Sequence, residues 1–281
     1  MDTRLRHALG LRMNRPAAQP AEAPPVEDIN VPRVDRTLDF LDLYYRLWHR
    51  VDLQGGDGIA PQGGAIFFGN HAGFNMLDIL MTMVAVRKHT ASRRLLRGMH
   101  HRAVANTPLV GKFIRHRLGG VIGSQANARY LLERGEAILT YPEGGNSSGK
   151  PFSARRRLVP MEQFGSGFVR LAQATGIALV PVATVGCEEA MPTLCTSTFF
   201  GRRFHFNNDR YPIVPQSALT LLPSALGLPL HSFHFLFGFP AKIRILIGEP
   251  MLVRHNDDVD AAKKHCYGKL EDMIAQLCHT P

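Results

Sequence analysis

The chain has 281 residues, 45% hydrophobic and 20% charged, and its 33 Lys and Arg against 23 Asp and Glu leave a formal charge of +10. That length supports one large α/β core or two small domains, and no fixed-period repeat suggests a solenoid or propeller. The basic excess suits nucleic acid, an anionic membrane face or a phosphate-bearing substrate. The basic clusters Arg93-Arg94, Lys112 to Arg117 and Arg155 to Arg157 come with no zinc-finger spacing, no RNP-like aromatic strand and no long basic helix, which argues against nucleic acid.

In chain order, residues 1–35 read as a flexible Ala/Pro-rich tail, with Pro16 to Pro25 its clearest run, and residues 36–281 as one domain. Leu38, Leu41, Tyr44, Tyr45, Trp48 and Val51 recur at helical spacing among Arg46, His49 and Arg50. This helix either lies at a membrane interface or packs on the core. Ala65 to Phe68 predicts a strand, Met76 to Val86 a helix, Ala126 to Glu133 a helix, and Ala137 to Tyr141 a strand stopped by Pro142. Gly167 to Thr175 predicts a helix closed by Gly176. Ala178 to Val185 reads as a buried strand, Lys242 to Gly248 as a half-exposed one, and Asp258 to Leu277 as a terminal helix. The alternation predicts a single α/β domain with a central, mostly parallel or mixed sheet flanked by helices.

Cys187, Cys195, Cys266 and Cys278 form no C-x-x-C pair, which suits reduced thiols. His100 and His101 are adjacent and point apart, and no H-x-x-x-H stands beside a carboxylate, so no metal site is expected. The start of the chain shows no secretory h-region. The uncharged stretch Ala218 to Ala241 is broken by Pro223, Pro229 and Pro240, unlike a spanning helix. Any membrane association is expected from one side.

Three constellations carry chemistry. His71 follows the Ala65 to Phe68 strand, where α/β sheets place their sites, and Asp78 is a carboxylate able to fix its tautomer. Six residues separate the two, a rise of about 10 Å on an unbroken helix. The pair therefore requires Ala72 to Phe74 to loop before the helix begins; otherwise Asn75 is placed to hold the imidazole. The second constellation is Tyr141-Pro142-Glu143-Gly144-Gly145, a strand end whose glycines admit a ligand close to the backbone. Inside it, Gly145 to Gly149 matches G-x-S-x-G, which makes Ser147 a candidate hydrolase nucleophile. Lys150, Pro151 and Phe152 follow in place of the helix that motif needs.

Taken in order, these blocks resemble the glycerolipid (lysophospholipid) acyltransferase family. Asn70-His71 with Asp78 resembles its N-H-x4-D motif, Leu118 to Ser124 its second block, Tyr141 to Gly144 its F-P-E-G block, and Val180 to Ala183 its apolar fourth block. Pro240 to Pro250 is similar to its final strand and turn, while Leu131 to Gly135 and Gly167 to Ala172 resemble the diacylglycerol-acyltransferase-like subgroup. The resemblance implies transfer of a fatty-acyl group from acyl-CoA or acyl-carrier protein to a lipid hydroxyl. It implies His71 as general base with Asp78, no cofactor, and work at the cytoplasmic face of an anionic membrane. It assigns acceptor binding to Glu143, Gly144, Gly145, Asn146 and Gln125. Gln125 and Asn146 stand where the family often carries arginines for an acceptor phosphate, which leaves Lys112, Arg115, Lys150 and Arg155 as candidate phosphate or donor contacts. A catalytically silent lipid-binding protein on the same scaffold is the other reading.

Overall fold

The computed structural model describes residues 26–72, 76–105, 108–147, 150, 152–191, 204–206, 209–211 and 238–279. The first helix, α1 (Val31–Leu43), starts where Asn30 accepts the Arg33 N–H at 3.0 Å and Pro32 occupies the first turn, and it runs on as a π-helical segment, Tyr44–Trp48. Its inner face buries Val34, Leu38, Leu41 and Tyr45. Asp35 and Asp39 pair with Arg87, and Asp42 with Lys88, so one flank is pinned to the next helix. The domain therefore begins earlier than the expected boundary at residue 36, because the cap and the proline lie before it. Val26 and Ile29 also pack against the core.

Strands β1 (Asp52–Gly55) and β2 (Ala65–Gly69) lead to α2 (Leu77–His89), β3 (Leu96–His100), α3 (Arg102–Ala105) and α4 (Pro108–Leu118). Then come β4 (Val121–Ile122), α5 (Gln125–Glu133), β5 (Ala137–Thr140), α6 (Gly167–Thr175), β6 (Leu179–Val185) and α7 (Cys187–Ala190). A separate antiparallel pair, β7 (Phe204–Phe206) and β8 (Asp209–Tyr211), precedes β9 (Arg244–Ile247) and α8 (Val259–His279).

The seven-stranded sheet has the order β1-β9-β6-β2-β5-β3-β4. From β6 to β4 neighbours are parallel, whereas β9 runs antiparallel to β6 and parallel to β1. The sheet is therefore mixed, with helices on both faces, as the alternating pattern predicts. Alternation along β2 divides the core. Phe67 points to the side of α1 and α2, and Ile66 and Phe68 to the side of α5, α6 and α8. With both faces covered, β2 and β6 are buried along their whole length.

The expected helix at Gly167–Thr175 is present, closed by a left-handed Gly176 whose N–H donates to the Ala172 carbonyl. β3 is not legible from apolar alternation because it buries Arg97 and His100, and in α4 charged residues interrupt the apolar pattern. Arg97 of β3 is buried, donating to the Gly119 carbonyl and to Glu136. The Lys112 to Arg117 run, taken only as a charge cluster, is the outer face of a helix that buries Ile114 and Leu118.

Replacement of Asn30 by alanine tests whether the folded unit starts at this cap. The expected cost is about 0.5–2 kcal/mol, or about 2–4 °C per kcal/mol in a domain of this size. Thermal melting reads it directly, and an unchanged midpoint would place residue 30 outside the cooperative unit.

Candidate active site

Three adjacent parallel strands, β2, β5 and β3, end on one edge of the sheet and bring Asn70-His71, Tyr141 to Glu143 and His100 together. Asn70 ties the edge to β6. Its Nδ2 donates to the Thr184 carbonyl and its Oδ1 accepts the Thr184 N–H, each at 2.8 Å. Both backbone partners are thereby satisfied inside the core.

His71 Nδ1 lies 2.6 Å from Asp78 Oδ2. The same oxygen accepts the Ala72 N–H at 2.9 Å, and Oδ1 accepts the Ile79 N–H at 2.8 Å. Helix α2 begins only at Leu77, so Asp78 stands in its first turn. Gly73 and Phe74 of the expected loop lie outside the described residues. The positive end of α2 favours the carboxylate further. Asn75, the alternative partner, lies outside the described residues. A carboxylate on Nδ1 makes that nitrogen the donor and leaves the Nε2 lone pair for a substrate. Burial opposes the charged imidazolium, but the charge and hydrogen bond of Asp78, aided by Glu143, outweigh it and raise the His71 pKa above 6.5.

Glu143 borders the cleft, and its carboxylate is held by the backbone. It has no solvent exposure; Oε1 accepts the His71 N–H and Oε2 the Val159 N–H, both at 2.8 Å. Lys150 Nζ is 3.8 Å from Oε2, 3.3 Å from Glu188, and donates to the Arg157 carbonyl at 2.7 Å. Burial raises the Glu143 pKa, against the pull of Lys150 and the two N–H donors. Its carboxylate ties the His71 and Val159 segments together beneath the site, and Lys150 belongs to that tie and not to a ligand contact.

A cleft of about 670 Å³ opens over this edge. His71, His100, Ser124, Gln125 and Gly144-Gly145 make its polar part, and Ala128, Ile138, Phe168 and Leu171 extend it into apolar ground between α5 and α6. The Tyr141 ring lies 5.0 Å from that of His71. Gly144 has a φ of 53° with open space where a side chain would start, so only glycine holds this turn unstrained beside the cleft. Gln125 Nε2 donates to the Gly167 carbonyl at 2.9 Å and bridges the starts of α5 and α6. It borders the cleft with its amide nitrogen already engaged. Asn146 sits in the short 3-10 turn after Glu143.

The remaining basic candidates face elsewhere. Lys112 is exposed on α4. Arg115 donates to the Ala105 carbonyl and lies 3.5 Å from Glu27. Arg155 covers the Phe152 ring at 4.2 Å and donates to the Phe152 carbonyl. None of these side chains lines the cleft. They were singled out by nearness in sequence to the motifs, which says nothing of helix face. Ser147 is no exposed nucleophile: it is buried, its hydroxyl donates to the Gly144 carbonyl at 2.9 Å, and among the described residues no long helix follows it. Conversely His100 borders the cleft and was weighed only as a metal ligand, since β3 was not recognised. Among the described residues no cluster could hold a metal ion.

Residues 50–185 match the model of the Acyltransferase family, a segment containing His71, Asp78 and Glu143. An uncharacterized protein of Mycobacterium leprae is 32% identical over 239 residues, covering 84% of this chain and 60% of that protein. An uncharacterized protein of Mycobacterium tuberculosis is 32% identical over 238 residues, covering 84% and 62%. The chain thus spans about three fifths of the length of these relatives. The fold is similar to the crystal structure of the 1-acyl-sn-glycerophosphate acyltransferase PlsC from Thermotoga maritima, with a TM-score of 0.56 and 17% identity over 88% of this chain and 81% of that one. The segment that holds this motif order and this cleft is the one that the Acyltransferase family model matches, and the fold is similar to that of PlsC.

Glu143→Gln tests the tie. An amide presents an NH₂ to one of the two backbone N–H groups, so one buried donor loses its acceptor at a cost of about 1–3 kcal/mol. We expect a lower melting midpoint together with displaced backbone amide resonances at both His71 and Val159. Resonances that move at neither residue would show that the carboxylate does not hold them.

Proposed function

We propose that this protein transfers a fatty-acyl group from acyl-CoA or acyl-carrier protein to a hydroxyl of a glycerolipid, with His71 as general base. The observation that carries this reading is the His71–Asp78 pair, 2.6 Å apart, at the head of a cleft with an apolar extension. The acceptor hydroxyl oxygen attacks the thioester carbonyl carbon while its proton passes to His71 Nε2. The tetrahedral intermediate then collapses, the C–S bond breaks, and the imidazolium returns the proton to the leaving thiolate. Asp78 steadies the imidazolium and holds the ring. General-base assistance of this kind contributes about 10²–10⁴-fold. The apolar walls at Ala128, Phe168 and Leu171 suit an acyl chain. No acyl-enzyme, metal or cofactor enters the scheme.

His71→Ala is expected to lower transfer from labelled acyl-CoA by about 10²–10⁴-fold with the fold intact, and Asp78→Asn to be damaging but less so. A purified His71→Ala variant with more than half the wild-type rate overturns the mechanism. A wild-type protein that binds lipid and transfers nothing points to the silent lipid-binding reading.

Work on lipid suits a protein that binds a membrane surface. The helical stripe that offered an interfacial or a core-packing reading packs on the core. Leu38, Leu41 and Tyr45 are core, while Phe40, Leu43 and Leu47 point outward, Phe40 57% and Leu47 67% exposed. Phe113 and Val110 of α4 are also exposed, and a shallow groove lined by Arg33, Arg36, Phe40, Phe113 and Arg117 joins the helices. Val104 on α3 is exposed and borders the active-site cleft. Apolar side chains among cations fit an anionic bilayer, each contributing about 1.5–3 kcal/mol if fully buried, with about 1 kcal/mol for each cation near the surface. No described helix is long and apolar enough to cross a membrane. Most of the Ala218 to Ala241 stretch lies outside the described residues. Flotation on anionic liposomes at low salt is expected, weakened by salt and removed by Phe40→Asp with Leu47→Asp. Wild-type protein left in the soluble fraction contradicts the surface assignment.

A further inference from the structure

Three histidines border the cleft, His71, His100 and His101, and the proposed reaction uses the first and leaves His100 without a task. His100 closes β3, two strands along the sheet edge from β2, with β5 between them. At the usual strand spacing this sets the two strand ends about 10 Å apart. A glycerol unit with its hydroxyl at His71 can therefore present a further oxygen toward His100.

The placement of this ring is built into the fold. The His100 carbonyl accepts the Gly123 N–H at 2.8 Å, which fixes the end of β3. Gly98 and Gly120 make room for the imidazole: a Cβ on either would approach its Nε2 to 2.8 and 2.7 Å. The residue is 5% exposed, yet it lines the same cleft as His71. Among the described residues nothing hydrogen-bonds to either ring nitrogen. Neither nitrogen is sealed from solvent, so a ligand oxygen in the cleft can reach the ring. Burial, and then the charge of His71, push its pKa down to about 4. The ring thus offers one N–H donor and one acceptor without a charge, including while His71 holds a proton. A phosphate placed there would be buried near Asp78 and Glu143, against a neutral ring.

We propose that His100 contacts the acceptor lipid, hydrogen-bonding an uncharged oxygen beyond the hydroxyl that is acylated, and so selects neutral glycerides over acceptors with a phosphate at that position. This rests on the acyl-transfer reading above and names its acceptor class.

The test compares monooleoylglycerol with lysophosphatidic acid as acceptors for labelled acyl-CoA. Wild-type protein is expected to favour monooleoylglycerol. His100→Leu raises its KM about tenfold, the worth of one hydrogen bond near 1.4 kcal/mol, and leaves kcat within about twofold. His100→Gln, which keeps a neutral donor, restores most of the affinity. Should His100→Leu not fold, His100→Asn, too short to reach, shows the same rise. A wild-type preference for lysophosphatidic acid, or an unchanged KM in folded His100→Leu, overturns the proposal. Binding of a fluorescent monoacylglycerol to His71→Ala, with and without His100→Leu, separates the two readings. Binding lost with His100 supports the acceptor contact even if turnover fails, and binding unchanged by His100→Leu overturns it.

Discussion

A carboxylate sealed from solvent has to be satisfied on every side, and Asp78 sets that requirement for the rest of the site. Removing an unpaired carboxylate from water costs several kcal/mol even after relaxation. Here one oxygen takes both the imidazole of His71 and the Ala72 N–H, the other takes the Ile79 N–H, and the start of α2 lies beneath. These contacts need the chain to double back after β2, which is why α2 starts at Leu77 and not directly after the strand. They also need the His71 backbone held still, and the buried Glu143 does this from the neighbouring strand. Asn70 locks the same turn to β6 on the other side.

The architecture that supports this pair was largely legible. Apolar runs such as Ala65 to Phe68 and Leu179 to Val185 announce buried strands, because a sheet covered on both faces selects continuous apolar text. The His71–Asp78 spacing requires that no unbroken helix join the two residues, and α2 begins only at Leu77. What escaped notice is physically coherent. β3 carries a buried arginine and a buried histidine, so hydrophobic alternation did not reveal it, and with it went the significance of His100. Glu143 reads in sequence as a carboxylate free to meet a ligand. Only the fold supplies the two N–H groups, from residues 71 and 159, that draw it inward. Lys112, Arg115 and Arg155 were placed near the site by sequence proximity, whereas helix phase and local carbonyls turn them away.

The distribution of polarity links the site to its surroundings. Charge inside the cleft is confined to the imidazole–carboxylate system and its supporting glutamate, while free cations such as Arg33, Arg36 and Arg117 sit on the outer face beside exposed Phe40 and Phe113. A protein arranged this way favours anions at its surface and uncharged oxygens within, which suits a lipid hydroxyl delivered from a membrane to a buried base.

The central claim is that Asp78 holds His71 as a base of raised pKa, and NMR titration of the His71 ring in wild type and Asp78→Asn tests it most directly. In the native protein burial lowers the pKa while the Asp78 charge and hydrogen bond raise it, and the sum lies above 6.5. The account predicts a wild-type midpoint above that of an ordinary histidine and a clear fall in Asp78→Asn, where burial is opposed mainly by Glu143 alone. Identical midpoints in the two proteins, or a wild-type value below 6.5, would contradict it.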